Sequence, residues 1–186
     1  MAIEKAVARW KLVAICVGVA VEYGVIHDFI TASICKEYFT QGLRPSLPAH
    51  WGSVWLAIYF GVACTWWAGL ISGLLLTKFW PKLKMRTLMK LSQGLCLGGL
   101  LVASVAGMVG YSLAVKGLFV LPMRIESKIS LQVKDLYLAV WAAHLASYGF
   151  WSFAIGAICL FHFWSGRRRA LASVDSVTGL SPCKQE

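Results

Sequence analysis

Four apolar stretches, residues 12–30, 53–77, 91–115 and 136–163, make up most of this 186-residue chain. Each reaches or exceeds the ~20 residues a helix needs to cross the hydrocarbon core of a bilayer. The expected fold is therefore an all-α membrane protein, a four-transmembrane-helix bundle with both termini cytoplasmic. A single domain is expected over residues 1–169, followed by a disordered cytoplasmic tail over 170–186.

Charge sets the expected orientation. Only 14% of residues are charged and the mean hydropathy is +0.68, whereas in soluble domains about a quarter of residues are charged. The net charge of +10 would suit nucleic acid, but the basic residues flank the apolar stretches, which argues for lipid and against nucleic acid. The N-terminus (Lys5, Arg9, Lys11), the second connection (Lys78, Lys82, Lys84, Arg86, Lys90) and the C-terminal tail (Arg167, Arg168, Arg169, Lys184) hold twelve basic residues. The first connection (Lys36, Arg44) and the third (Lys116, Arg124, Lys128, Lys134) hold six. Lys and Arg concentrate in cytoplasmic segments, so the first group is placed inside. Trp10, Trp80 and Trp164 then fall at the inner boundary and Trp51, Trp55 and Trp141 at or near the outer one, as interfacial belts do. The first stretch runs past Glu22 to Ile30, longer than a signal-peptide core, and is expected to remain as a span.

Cysteine usage excludes one class. Of Cys16, Cys35, Cys64, Cys96, Cys159 and Cys183, only Cys35 falls on the outer side, and no CxxC occurs. Four-span thiol oxidoreductases that pass electrons to quinone need cysteine pairs for exchange. The cysteines within spans read as small packing residues.

The connections differ in character. Pro45 and Pro48 point to an irregular, ordered loop over 31–52. The third connection, 116–135, mixes apolar and basic residues, as an amphipathic surface element would. Arg167, Arg168 and Arg169 suit anionic lipid headgroups. In the third span Gly99, Ala103, Gly107 and Gly110 follow helical spacing, with Gly94 and Gly98 one face over, and Gly69 and Gly73 do so in the second. Such residues let helix backbones approach closely.

The polar residues inside the spans are the candidate site. Glu22 lies near the middle of the first, where an ionisable group is costly and a functional candidate by default. It needs a partner, and Tyr148 lies at similar depth on the fourth span. On that span Tyr137, Trp141, His144, Tyr148, Trp151, Ile155, Cys159 and His162 recur at three- and four-residue steps and form one stripe, expected to face the bundle interior. On the first span Cys16, Ala20, Tyr23 and His27 share a face. His27 and His144 each lie roughly 9 Å outward from mid-span at ~1.5 Å per residue, so the two imidazoles are at one depth. Such a pair suits a transition metal or the iron of a b-type haem. Glu22, His27 and Asp28 fan more than 100° apart around a straight helix, so they are not all expected to aim at one point. Trp66 and Trp67, within the inner half of the second span, are expected to pack in the bundle or line a pocket.

The stretch YGVIHDFITASICKEYFT, Tyr23 to Thr40, and TWWAGL, Thr65 to Leu70, resemble motifs of small bacterial four-span membrane proteins for which no activity is known. The resemblance covers the first two spans and their loop. It implies a bacterial cytoplasmic membrane. It singles out Tyr23, His27, Asp28, Cys35, Glu37, Tyr38 and Thr65 to Trp67.

No HExxH, GxSxG or phosphate loop appears, so the reading leans away from an enzyme. The leading expectation is an accessory or small-molecule-binding bundle with a polar site in its outer half, built from Glu22, Tyr23, His27, Asp28, Trp66, Trp67, His144 and Tyr148. A protein partner or homo-oligomer fits that role. The first alternative is a haem- or metal-binding redox protein using His27 and His144. The second is a proton-coupled carrier using Glu22 within an oligomer.

Overall fold

The computed structural model describes residues 2–44, 47–48, 50–79, 85–119 and 129–178. Four helices carry them: α1 (Ala2–Ile34), α2 (Ser53–Phe79), α3 (Met85–Val115) and α4 (Lys134–Thr178). A π-helical turn, Tyr38–Leu43, follows α1, and a short 3-10 turn, Leu131–Val133, leads into α4. No strand occurs among the described residues. Each helix contains a segment long and apolar enough to cross a membrane: Arg9–Ile34, Ser53–Lys78, Arg86–Val115 and Lys134–Phe161.

These segments match the four apolar stretches and mostly extend them. The helix also continues where a tail was expected, since α4 carries residues 170–178. Trp80, Cys183, residues 120–128 of the third connection and residues 179–186 lie outside the described residues, as do the side chains of His162, Arg167, Arg168 and Arg169.

The helices pack as two pairs, α1 on α2 and α3 on α4, and the pairs touch each other far less. Small residues make each pairing close. A Cβ on Gly61 would fall 2.5 Å from the Val25 backbone nitrogen, and one on Gly69 would fall 2.6 Å from the Cys16 carbonyl oxygen. In the other pair a Cβ on Gly110 would fall 2.6 Å from that of Ala142. The glycines read as packing residues therefore act within the pairs, although Gly94 has nothing within 4 Å. Gly99 differs in facing the Tyr23 ring of α1.

Helix α3 ends in a Schellman motif. Gly117, at φ 67°, donates its N–H to Ala114 O, and the Leu118 N–H reaches Leu113 O. A left-handed residue at this position favours glycine. Hydroxyls on the helices are satisfied locally, as where Ser72, Ser104 and Ser112 donate to carbonyls four residues back.

The most deeply buried side chains, Phe39, Leu56, Leu138, Val140 and Cys35, gather at the end where α1 gives way to α2, called the top below. Ser53 helps close that end by donating from Oγ to Ala32 O. Elsewhere the exterior is apolar, with Leu97, Leu101, Met108, Phe153 and Leu160 exposed. Trp10, Trp55 and Trp164 are exposed near the ends of the apolar segments. Trp51 instead packs on Tyr59, and Trp141 on Phe119.

Candidate functional site

Just below the top, α1 contributes His27 and Asp28 and α4 contributes His144. All three are buried, at 5%, 5% and 2% exposure. His144 Nε2 lies 3.2 Å from Asp28 Oδ1, and His144 Nδ1 lies 2.9 Å from the Val140 carbonyl oxygen. A carbonyl oxygen only accepts, so Nδ1 carries a hydrogen. Nε2 of the neutral ring is then an acceptor facing a carboxylate oxygen, and a proton or a cation belongs between them. The His27 ring meets the His144 ring edge to face, with centroids 4.6 Å apart. Ligating atoms of His27, Asp28 and His144 lie within 4.8 Å of one another. His27 Nε2 is buried with no hydrogen-bond partner among the described residues.

The connection after α1 roofs this cluster. Tyr38 lies over the His144 ring at a centroid distance of 4.6 Å, and Phe39 meets the same ring at 5.6 Å. Phe39 also packs on Phe60 of α2, and Tyr38 on Tyr137 of α4, so the turn ties both pairs together. Burial raises the Tyr38 phenol well above its ordinary value, which keeps it neutral. Beside it the Cys35 thiol is pushed up to about 11, first by burial. Its Sγ–H donates to Glu37 Oε2 at 3.6 Å. Such a thiol is a packing group rather than a nucleophile at neutral pH.

Below the cluster the two helix pairs part and leave a cavity of about 620 Å³. It follows α1 from Asp28 to Ile15, about 20 Å at ~1.5 Å per residue. Its walls are mostly apolar. His27 and Asp28 stand at the upper end, and Leu76, Leu88 and Cys159 at the lower. Trp67 and Ile71 of α2 and Tyr148 and Ser152 of α4 line it yet remain exposed, so its mouth lies between α2 and α4. Tyr23 crosses its upper part, hydrogen-bonded through its hydroxyl to Ser147 Oγ at 2.7 Å and set edge to face against Trp151 at 5.2 Å. The Trp151 Nε1–H, also at the cavity, lies beside the Tyr23 side chain and makes no well-formed hydrogen bond among the described residues.

The structure thus brings Tyr23, His27, Asp28 and His144 together, with Asp28 turned into the bundle. Glu22 is a correction. It is exposed and does not line the cavity that Tyr148, its expected partner, does line. Six residues at ~100° each place it about 120° round α1 from Asp28. Its electrostatic neighbour is Cys96 of α3. Trp66 is the second correction, being 47% exposed and outside the cavity lining, whereas Trp67, 51% exposed, lines the cavity. Tyr148 joins the cavity at its rim. The haem alternative does not fit the observed pair. An iron ligated on both sides would hold the two imidazole centroids roughly 6 Å apart, on opposite faces of a porphyrin. Here they are 4.6 Å apart with Tyr38 and Phe39 already against His144.

Two contributors, Ser147 and Phe39, were not read from the sequence, and Tyr38 was singled out only by the motif resemblance. Ser147 carried a signal, lying three residues past His144 and so on its face. Tyr38 and Phe39 sit in a loop, where no periodicity announces burial. Of the residues that the motif resemblance singled out, Tyr23, His27, Asp28, Cys35 and Tyr38 are buried at or around this cluster. No protein-family model matches the chain, and no curated protein and no solved structure shows significant similarity to it.

Proposed function

We propose that this chain is a multi-pass membrane protein that binds a lipid-soluble small molecule between its two helix pairs. The observation that carries the reading is the elongated apolar cavity of about 620 Å³, with its mouth between α2 and α4. Ligand sites are commonly of ~300–1,000 Å³, mostly apolar, with a few placed polar groups. With the four segments in a bilayer, that mouth opens sideways onto lipid, and a ligand enters from the membrane rather than from water.

The polar groups narrow the ligand's chemistry. Tyr23 and Trp151 place a hydroxyl and an indole N–H at the cavity wall, so a ligand bearing an oxygen such as a carbonyl or hydroxyl finds a donor there. The basic-residue distribution favours both termini on the cytoplasmic side of a bacterial membrane, with the His–Asp–His cluster in the outer half. Arg167, Arg168 and Arg169 suit anionic headgroups on the inner face. The carrier reading loses its main support with Glu22 outside the cavity.

Photolabelling tests the proposal. A benzophenone-tailed fatty alcohol in nanodiscs should label the rim residues Trp67 and Tyr148 well above the outward-facing Leu101 and Phe153. Ala68→Phe, which fills the cavity, should abolish the preference. Uniform labelling of rim and exterior would refute the reading.

A further inference from the structure

We infer that His27, Asp28 and His144 form a binding site for one divalent first-row transition metal ion, zinc(II) or iron(II). The inference stands apart from the identity of any cavity ligand, because it rests on the cluster alone.

Ligand chemistry comes first. Two imidazoles and one carboxylate are a donor set that both ions accept, with positions left open. Here the set comes from two helices of different pairs, and all three side chains are buried. Their ligating atoms lie within 4.8 Å of one another. A tetrahedral ion with bonds of ~2.0–2.1 Å holds its donors about 3.4 Å apart, so the widest pair closes by at most roughly 1.4 Å. His144 Nε2 and Asp28 Oδ1 already stand 3.2 Å apart, so the closing movement falls to His27.

Proton placement points the same way. The hydrogen on His144 Nδ1 is committed to Val140 O, which aims the Nε2 lone pair at Asp28. Metal-bound histidines are typically held by such an N–H to a backbone carbonyl. His27 offers an independent sign. Its Nε2 is buried, with its residue 95% removed from solvent, and has no hydrogen-bond partner among the described residues. Buried polar atoms are nearly always satisfied, and an orphan calls for an explanation such as an ion. A single ion satisfies the His27 orphan and separates the two facing acceptors. Because His27 and Asp28 also line the cavity, the open coordination positions face it.

The competing account is a single proton shared by Asp28 and His144, with His27 a spectator. Full-length protein in detergent, stripped with chelator and titrated with zinc(II) alone against a chromophoric chelator, separates the two. The expected result is one zinc per chain, with affinity reduced at least about tenfold in His27→Ala, in His144→Ala and in the near-isosteric Asp28→Asn. No zinc bound, or zinc retained at wild-type affinity in both histidine variants, overturns the proposal. Cobalt(II) added to the wild-type chain gives a readout that needs no variant. A visible d–d band displaced by one equivalent of zinc supports the site, and its absence refutes it.

Discussion

Nε2 of His144 stands 3.2 Å from Oδ1 of Asp28 while Nδ1 of the same ring stands 2.9 Å from the Val140 carbonyl oxygen. One ring is thus fixed at both nitrogens, once by its own helix and once by α1. Contacts between the two helix pairs are few, so this link and the Tyr38–Phe39 roof bear much of the task of joining them at the top.

The link should tolerate Asp28→Asn and fail on His144→Ala. An asparagine amide can donate to the Nε2 lone pair. Removing the ring leaves Asp28 buried without its partner, a loss that typically costs about 3–5 kcal/mol. Thermal or denaturant unfolding in detergent should show a small shift for the first variant and a large one for the second. Equal shifts would mean that the contact does not join the pairs.

Helix approach gives a contrast between two glycines. Gly61→Ala places a methyl against the α1 backbone at Val25 and should destabilise the α1–α2 pair by about 1–3 kcal/mol. Gly94→Ala meets nothing within 4 Å and should stabilise α3 by about 0.5–1 kcal/mol through helix propensity. The ordering of the two melting temperatures checks the pairing directly.

Cys35 gives a pH dependence. Its thiol is raised from 9.0 to about 11, so the folded chain holds that proton more tightly than the unfolded chain does. Its contribution to stability is fully present below pH 9 and is lost as pH rises toward about 11. Wild type should therefore lose stability faster than Cys35→Ala over that interval. Parallel curves would contradict the burial of the thiol.

Glu22→Gln separates the sequence expectation from the structural one. With Glu22 exposed and outside the cavity, the variant should keep wild-type rim labelling and a melting temperature at or above wild type. Loss of labelling would return Glu22 to the binding site.

The four long apolar helices and the meeting of His27 with His144 were legible because helix rise and period are rigid. The lengths of the apolar stretches found these helices, and depth matched the two histidines. Which face of each helix turns inward was harder to read. Lipid and protein interior are both apolar, so a Trp at 66 or 67 and a Leu at 101 give little contrast between outside and inside. For the same reason Glu22 was read as facing inward while the direction of Asp28 stayed open, and only the packing of α1 decides both. The roof was hidden for another reason. A π-helical turn over Tyr38–Leu43 exists because Phe39 and Tyr38 find Phe60, Tyr137 and His144, all distant in sequence.

Native mass spectrometry of the chain released from its own membrane is the most direct test of the cavity. A discrete adduct, an oxygen-bearing lipid-soluble molecule at near one per chain, should accompany wild type and be missing from Ala68→Phe. A bare chain in both, or the same phospholipid adducts on both, would contradict a ligand held between the helix pairs.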